Sequence, residues 1–402
     1  MTIIPFERNV EFFWSDGLQS QRLLRVVCVL ALAGFFSATQ QAHAQWQIER
    51  SATTASLRGI HAVSANIAWA SGADGTVLRT LDGGQSWRSC SVPAGAEKLD
   101  FRSVWAWDGD HAMVMSSGPG TESRLYSTHD GCRTWSLVLT NPDADGFWDG
   151  LQFDGTRFGV ILGDPIRGSF TMFVTYDGGS QWTRQNNACL RTMEPKQGAF
   201  AASNQSLAIV PIQDTNSSRG TGGNRQIWFG VSGGWLYGFE LTPLKLIAAT
   251  NGDSTENGCI HAQPLPLGAK ESAGIFAVAF HDDTYGLAVG GDYAQPRSGT
   301  TTAAFTADGI HWHVAFHPPA GYRSTVAWNP TDATWIAAGP TGSDISRDNG
   351  NTWQPLDHGS WNASSLPFAV GPDGRIARLV SWGQMHVMNQ APIAAVPASA
   401  KE

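Results

Sequence analysis

Charged residues recur at equivalent places along the chain and could together form one binding site. Four of them stand at the start of a short strand-like segment that is apolar or alternates apolar and polar residues: Arg58, Arg102, Asp149 and Arg323. Two others, Asp164 and Asp292, stand at the end of the next such segment. Three arginines that face one pocket would suit a carboxylate or a phosphate, because each guanidinium gives paired, charge-assisted hydrogen bonds. The alternative is that the arginines pair with aspartates of adjacent repeats, which would hold the repeats together and bind no ligand.

A short motif, Thr-Leu-Asp-Gly-Gly-Gln-Ser-Trp at 80–87, marks the elements that would position these side chains. It recurs at 128–135, 175–182 and 346–353, with a shortened copy at 306–312. The Asp carboxylate can accept hydrogen bonds from backbone N–H groups further along the turn, and glycine adopts positive φ without a Cβ clash. Each copy therefore predicts a tight turn, after which the Trp opens a strand with its ring buried. This structural role falls to Asp82, Trp87, Asp130, Trp135, Asp177, Trp182, Asp308, Trp312, Asp348 and Trp353.

The spacing of the motif predicts a repeat architecture. Adjacent copies begin at 80, 128 and 175 and at 306 and 346, so they lie 48, 47 and 40 residues apart. Each repeat holds four short strand-like runs, the pattern of a propeller blade. Seven blades are predicted, with first strands at 58–63, 102–107, 149–153, 199–202, 276–280, 323–328 and 366–370. The fourth blade keeps only Ser-Gly-Gly-Trp at 232–235 in place of its motif.

The expected fold is therefore all-β, a seven-bladed β-propeller of four-stranded antiparallel blades over residues 45–390. The 45 glycines, the 17 tryptophans and the absence of a long amphipathic helical pattern agree with it. The seventh blade lacks an outer strand, and the segment 46–49 can supply it. Closure by this N-terminal strand would remove the open edge of the ring.

Strand direction divides the loops between two faces of the ring. If the first strand of each blade starts at one face, the connection from second to third strand returns to it, and the Asp-Gly turns lie on the opposite face. The insertions at 116–123, 163–169, 213–226, 242–272 and 290–300 then share the first face with the charged residues. Long loops on one rim of a rigid scaffold are the usual place for binding.

The N-terminus has the pattern of a secretory signal peptide over residues 1–44. Arg22 and Arg25 precede an apolar run at 26–36, and Ala42-His-Ala44 precedes Gln45. An uncleaved anchor is the alternative. We expect an exported chain, periplasmic or secreted, with no membrane span after cleavage, and a disordered Ala- and Pro-rich tail at 391–402.

Export makes the four cysteines that follow the signal peptide candidates for disulfides. Cys90 and Cys132 lie near the motifs of adjacent repeats, and Cys189 and Cys259 fall in segments expected to be loops. Four free thiols remain the alternative. No cysteine or histidine cluster has zinc spacing, so neither a metal nor a cofactor is expected.

The charge balance restricts the possible partners. The chain of 402 residues has 34 acidic and 26 basic residues and a formal net charge of -8. An acidic exported protein is a poor candidate for nucleic acid or anionic membranes. We expect a monomer whose partner is a protein or a small anionic ligand.

Several motifs resemble a known family. Nearly the whole mature chain looks like exported bacterial propellers similar to the photosystem II stability/assembly factor. The segments that carry the resemblance are Val-Leu-Arg-Thr-Leu-Asp-Gly-Gly-Gln-Ser-Trp at 77–87, Leu-Gly-Asp-Pro at 162–165, Gly-Ala-Phe-Ala-Ala-Ser-Asn at 198–204 and Val-Gly-Gly-Asp-Tyr at 289–293. The resemblance implies a seven-bladed propeller that acts as a binding or assembly scaffold outside the cytoplasm.

The turn motif alone also resembles the Asp-box, or BNR, repeat of sialidases. A sialidase would bring an arginine triad, a tyrosine nucleophile paired with Glu, an Asp that acts as the acid and a Phe/Tyr-Arg-Ile-Pro segment near its start. The sequence has no such segment, and its three aligned arginines resemble the triad by position only. The best placed tyrosines, Tyr293 and Tyr322, have no evident Glu partner. A sialidase-like glycoside hydrolase or lyase acting on acidic sugars is therefore the alternative function, and no catalytic residue is assigned.

Overall fold

The computed structural model describes residues 45–212, 224–241 and 259–380, without the side chains of 259–261. The expected signal peptide and C-terminal tail lie outside the described residues. Within them the chain forms seven separate four-stranded antiparallel sheets, the blades of a propeller. The predicted fold is confirmed.

The first strand, β1 (Gln45–Glu49), belongs to the last blade, and the next twelve strands form blades 1 to 3. Blade 1 contains β2 (Leu57–Ala62), β3 (Ala68–Gly72), β4 (Val77–Thr80) and β5 (Arg88–Ser89). Blade 2 contains β6 (Phe101–Ala106), β7 (Ala112–Ser116), β8 (Arg124–Thr128) and β9 (Ser136–Thr140). Blade 3 contains β10 (Trp148–Asp154), β11 (Phe158–Ile166), β12 (Ser169–Thr175) and β13 (Thr183–Arg184).

The remaining strands form blades 4 to 7. Blade 4 contains β14 (Leu207–Pro211), β15 (Arg225–Gly230), β16 (Trp235–Leu241) and β17 (Cys259–Pro264). Blade 5 contains β18 (Ala273–Phe280), β19 (Gly286–Asp292), β20 (Ala303–Thr306) and β21 (Trp312–Val314). Blade 6 contains β22 (Thr325–Asn329), β23 (Thr334–Gly339), β24 (Gly342–Ser346) and β25 (Gln354–Asp357). Blade 7 contains β26 (Ala363–Ser365), β27 (Phe368–Val370), β28 (Ile376–Val380) and β1.

The hydrophobic core lies between adjacent blades rather than inside any one of them. Trp69 and Val77 of blade 1, for example, pack in one cluster with Phe101, Val114 and Tyr126 of blade 2. Full burial of such side chains contributes about 1.5–3 kcal/mol each, so each blade is stable only against its neighbours.

The N-terminal strand closes the ring, as predicted. β1 pairs antiparallel with β28 from Gln45 opposite Val380 to Glu49 opposite Ile376. The indole Nε1 of Trp46 donates to Ser343 Oγ of blade 6 at 2.9 Å. Glu49 accepts a 2.8 Å hydrogen bond from Trp87 Nε1 of blade 1. This strand therefore ties together three consecutive blades.

The Asp-Gly turns share one hydrogen-bonding pattern. In the first, Asp82 Oδ1 accepts from Thr80 Oγ1 at 2.8 Å and from Ser86 N at 2.9 Å. The side-chain and backbone donors of Ser86 hold the pKa of Asp82 at about 2. The corresponding carboxylates accept equivalent bonds at Asp130, Asp177, Asp308 and Asp348.

One disulfide connects blades 1 and 2. The sulfurs of Cys90, which follows β5, and Cys132, in the turn after β8, are bonded. Cys189 is also disulfide-bonded. The side chain of Cys259 lies outside the described residues, but its backbone begins β17 rather than a loop as expected.

Two predicted blade boundaries were wrong. The first strand of blade 4 is β14, not 199–202, and the Ser-Gly-Gly-Trp segment turns from second to third strand, helped by positive φ at Gly233 and Gly234. The first strand of blade 7 is β26, because Pro367 has no N–H and stands in the turn that precedes β27. In both places a turn resembled a strand in composition.

The segment 199–206, here called the axial segment, fills the centre of the ring. Its carbonyl and side-chain groups bond the first strands of four other blades. Asn204 Nδ2 donates to Val104 O of blade 2, and Asn204 O accepts from Gln152 of blade 3. Gln205 O accepts from Val278 N of blade 5 at 3.0 Å. Contacts on so many sides of one ring place this segment in the central channel.

Gln205 extends these contacts to blade 6. Its Oε1 accepts from Val326 N at 2.9 Å and from Thr325 Oγ1. Substitution of Gln205 by Ala leaves the buried Val326 N–H without a partner, so we expect a loss of about 1–3 kcal/mol in the free energy of unfolding. Chemical denaturation measures it.

A matched control is Gln263→Ala on the outer strand β17, where the amide makes only an exposed 3.5 Å contact with Ile310 O. We expect a change within about 0.5 kcal/mol there. Equal effects of the two substitutions would contradict the role given to the axial segment.

Candidate functional site

A cavity of about 440 Å3 opens at the face where the first strands of the blades begin. We call this face, which carries the second-to-third strand connections, the loop face. The prediction that the insertions at 213–226 and 242–272 lie on it was wrong for the start of both, because they follow β14, a first strand, and β16, a third strand, which end at the opposite face. Residues 199–202 of the axial segment form part of the lining. Four predicted site residues line it as well: Arg58, Arg102, Asp149 and Asp164.

The arginines of the cavity differ in their partners. Arg102, on β6, forms an ion pair with Asp100, with its Nε 2.8 Å from Oδ2, and Nη1 also reaches Ala201 O at 3.4 Å. Arg58, on β2, has a buried Nε with no hydrogen-bond partner. Burial, and then the charge of Arg102, lower the pKa of Arg58, while Asp100 opposes the change. The guanidinium remains charged at neutral pH because arginine does not deprotonate in proteins.

The two aspartates of blade 3 lie beside each other at the cavity. Asp149, on β10, is 1% exposed and its Oδ2 has no partner. Burial and the charge of Asp164 raise its pKa well above the ordinary value, and Arg102 only partly offsets them. Burial also raises the pKa of Asp164, on β11, to about 6, although its Oδ1 accepts a 2.9 Å bond from Ala199 N.

Aromatic rings form the rest of the wall. Phe200 of the axial segment stacks on Phe276 of blade 5 with 3.6 Å between ring centres. Tyr322 and Tyr293 contact Phe276 edge-on at 4.6 and 6.2 Å. The ring of Phe147 lies 6.0 Å from the guanidinium carbon of Arg102. Cationic and aromatic groups together suit an anion that has an apolar body.

Arg323 does not line this cavity. Its guanidinium is 3% exposed and bonds Asp344 of β24, with Nε and Nη2 each 2.6 Å from Oδ2. Its Nη1 donates to Tyr322 O and Thr341 Oγ1 at 2.9 Å. Arg323 precedes β22, which begins at Thr325, so the predicted equivalence with Arg58 and Arg102 was wrong. The ion-pairing alternative describes Arg323, although the pair lies within one blade.

Asp292 also lies outside the cavity lining. At the end of β19 it accepts from Ala294 N at 2.9 Å and lies 3.6 Å from Lys270 Nζ. Its role is to organise the loop after the strand, so the sequence placed it on the right face but not in the site.

Sequence reasoning missed the aromatic part of the site and the partner of Arg102. Phe200 and Phe276 occur in apolar runs that predict core, and nothing local distinguishes a cavity wall from a core face. Phe147 stands beside Trp148 between acidic residues, in a segment with no recognisable strand pattern. Asp100 stands two residues before Arg102, the one signal that could have identified that ion pair.

Two adjoining recesses of about 440 and 700 Å3 open on the opposite face, and Gln205, Phe280 and His281 line both. None of the buried side-chain polar atoms that lack a partner in the described residues belongs to their lining. We therefore take the loop-face cavity as the candidate site.

No group of three His, Cys, Asp or Glu side chains in the described part of the chain could hold a metal ion. Over the same ranges, no helix has the length and apolar character to cross a membrane.

The sequence matches no family model. The vacuolar protein sorting/targeting protein 10 of Neosartorya fischeri is 27% identical over 107 residues, which are 26% of this chain. The match spans 7% of that protein, a small part of its length.

Solved propellers resemble the chain over most of its length. YCF48 bound to D1 peptide matches 83% of this chain and 96% of its own, with a TM-score of 0.54 and 17% identity. YCF48 from Cyanidioschyzon merolae matches 84% and 99%, with a TM-score of 0.52 and 20% identity. The WD40 propeller domain of Doa1 matches 84% and 97%, with a TM-score of 0.54 and 10% identity. The similarity to the photosystem II assembly factor is confirmed at the level of the fold.

The placement of Arg323 generates a prediction about stability. Substitution of Arg323 by Ala leaves Asp344 as an uncompensated buried carboxylate, so we expect a loss of about 3–5 kcal/mol in the free energy of unfolding. Urea denaturation at neutral pH measures it.

Glu271→Ala is the control, because the Lys196–Glu271 pair has 80% and 72% exposed side chains. Such a pair contributes about 0–1 kcal/mol. A loss at Arg323 no larger than this would contradict the buried pair.

Proposed function

We propose that the chain is a binding and assembly scaffold outside the cytoplasm, which holds a protein partner on its loop face and an anionic group in the loop-face cavity. The observation that carries the proposal is the guanidinium of Arg58, which lines the cavity and makes no ion pair or hydrogen bond within the described residues. Partial burial of an unpaired charge costs free energy. A bound anion that pairs with the accessible nitrogens of Arg58 would recover part of it.

The architecture supports a preformed scaffold rather than a protein that works by changing its conformation. The axial segment and the closing strand fix all the blades to one another, so the loop face keeps its shape. Binding to a preformed surface avoids the cost of ordering it. A related fold is known with a peptide on it, since one solved neighbour is YCF48 bound to D1 peptide.

Location outside the cytoplasm is the second part of the proposal. It is motivated by the charged, apolar and small-residue pattern before Gln45. The Cys90–Cys132 disulfide supports it, because disulfides persist in oxidising compartments.

Tyr293 offers a way to test the binding face. It is 55% exposed at the rim of the cavity, and exposed aromatic residues commonly dominate binding energy at interfaces. We expect Tyr293→Ala to weaken capture of the partner by roughly tenfold or more. Crosslinking to the host's exported proteins, followed by mass spectrometry and a binding titration of the recovered protein, measures it.

Leu81→Ala is the matched control. Leu81 is 48% exposed in the turn between β4 and β5, on the face opposite the cavity. Retained binding by Leu81→Ala and lost binding by Tyr293→Ala support the proposal. The reverse pattern would move the binding surface to the opposite face.

A glycoside hydrolase or lyase acting on acidic sugars is the second candidate function. Asp149 and Asp164 favour it, since a carboxyl group with a raised pKa can serve as a general acid. Burial raises the pKa of Tyr322, however, which disfavours the phenolate that a tyrosine nucleophile requires.

The enzyme candidate predicts hydrolysis of fluorogenic sialic acid or uronic acid glycosides between pH 5 and 7. Asp164→Asn should then lower kcat about 100-fold or more, as expected when a general acid is lost. Absence of turnover by the wild-type protein rejects this candidate and leaves the scaffold proposal unaffected.

A further inference from the structure

The charges around the cavity leave one positive group without an acidic partner. Arg102 is neutralised by Asp100 at 2.8 Å. Arg58 makes no ion pair within the described residues, and burial has removed much of its contact with water. The cavity therefore has one cation to offer to a ligand, which matches a group with a single negative charge rather than a dianion such as sulfate.

Arg58 can contact a ligand through the outer nitrogens of its guanidinium. Only its Nε is buried, and its side chain makes no hydrogen bond within the described residues. Arg58 and Arg102 both line the cavity, and Arg102 is already paired with Asp100, so Arg58 is the guanidinium that a ligand carboxylate can pair with.

The walls define the rest of the ligand. Phe147 and Phe200 are half-buried and Tyr293 is exposed, so all three keep ring surface accessible at the cavity. A volume of about 440 Å3 lies within the range of small-molecule sites and far exceeds the size of a bare carboxylate. An aromatic body would fill this space by stacking on rings that already pack with 3.6 Å between Phe200 and Phe276.

We propose that the loop-face cavity binds a small aromatic monocarboxylate, whose carboxylate is held by the guanidinium of Arg58 and whose ring packs against Phe200. The inference rests on the proposed anion site and names the class of ligand that it takes.

The pH dependence of ligand binding follows from the titratable groups at the cavity. Asp149 faces Asp164 and Arg102, and Arg58 faces Arg102, Asp100 and Tyr322. No histidine lines the cavity among the described residues. Asp164, with a pKa of about 6, changes charge between pH 5 and 7.5. Below pH 6 it is neutral and does not repel the ligand, whereas above pH 6 its negative charge opposes binding.

The test is isothermal titration of the purified protein with 2-naphthoate at pH 5.0, 6.0 and 7.5. Naphthoate stays ionised over this range, since carboxyl groups titrate near about 4. We expect affinity to increase on the order of tenfold from pH 7.5 to pH 5.0, because one nearby charge is removed. Neutral 2-naphthamide should bind at least about tenfold more weakly than naphthoate. Affinity that increases with pH instead would overturn the inference.

Variants separate the roles of the residues. Arg58→Gln should weaken naphthoate binding at least about tenfold, whereas Arg88→Gln, on the exposed outer strand of the same blade, should leave it unchanged. Asp164→Asn should bind at pH 7.5 as the wild type binds at pH 5.0 and lose the pH dependence. An Arg58→Gln variant that binds like the wild type contradicts the proposal.

Phe200→Leu keeps an apolar contact with Phe276 and provides a readout if Arg58→Gln fails to fold. It should weaken naphthoate binding without changing the pH dependence. The proposal of an aromatic monocarboxylate ligand is overturned if inorganic sulfate binds as tightly as naphthoate, or if naphthoate does not bind at all. Partner capture through Tyr293 is measured without naphthoate, so failure of this inference and failure of the scaffold proposal are distinguishable.

Discussion

The hydrogen bonds of the axial segment are the constraint on which the rest of the structure depends. A propeller leaves the first strands of its blades facing a channel, where the backbone and polar side chains need partners. Here Asn204 and Gln205 supply them, bonding Val104 on one side of the ring and Val326 on the other. These bonds join strands that are distant in sequence, so they add to the apolar packing between adjacent blades. Closure by β1 completes the ring at its edge, and the axial segment fixes it at its centre.

The same segment creates the site. Its residues 199–202 line the loop-face cavity, while Gln205 lines the recesses on the other face, so the channel is divided into two separate mouths. Ala199 N fixes the Asp164 carboxylate, and Phe200 provides an aromatic wall. The segment that stabilises the ring therefore also determines the polarity of the cavity. A change in its conformation would alter stability and binding together.

Most of the fold could be predicted from the sequence because it depends on local patterns. The Asp-Gly turns recur at nearly constant spacing, and Trp46 resembles the tryptophans that follow those turns. Prediction failed where tertiary contacts override composition. Residues 199–202 have the apolar content of a strand but cross the channel, and Arg323 has the same local setting as Arg102 but turns to Asp344. Neither outcome can be read from neighbours in sequence, because partners across the ring decide both.

The electrostatics of the cavity distinguish a stabilising ion pair from a binding group. Arg323 and Asp344 are both almost fully buried, and each satisfies the charge of the other, so that pair has nothing to offer a ligand. Arg58 also has a partly buried guanidinium, but it lacks such a partner within the described residues and lines a cavity. Leaving this charge unpaired lowers the stability of the folded protein, a cost that a bound anion would offset. The two arrangements occur in one ring. The contrast between them, rather than the number of arginines, is what marks the loop-face cavity as the site.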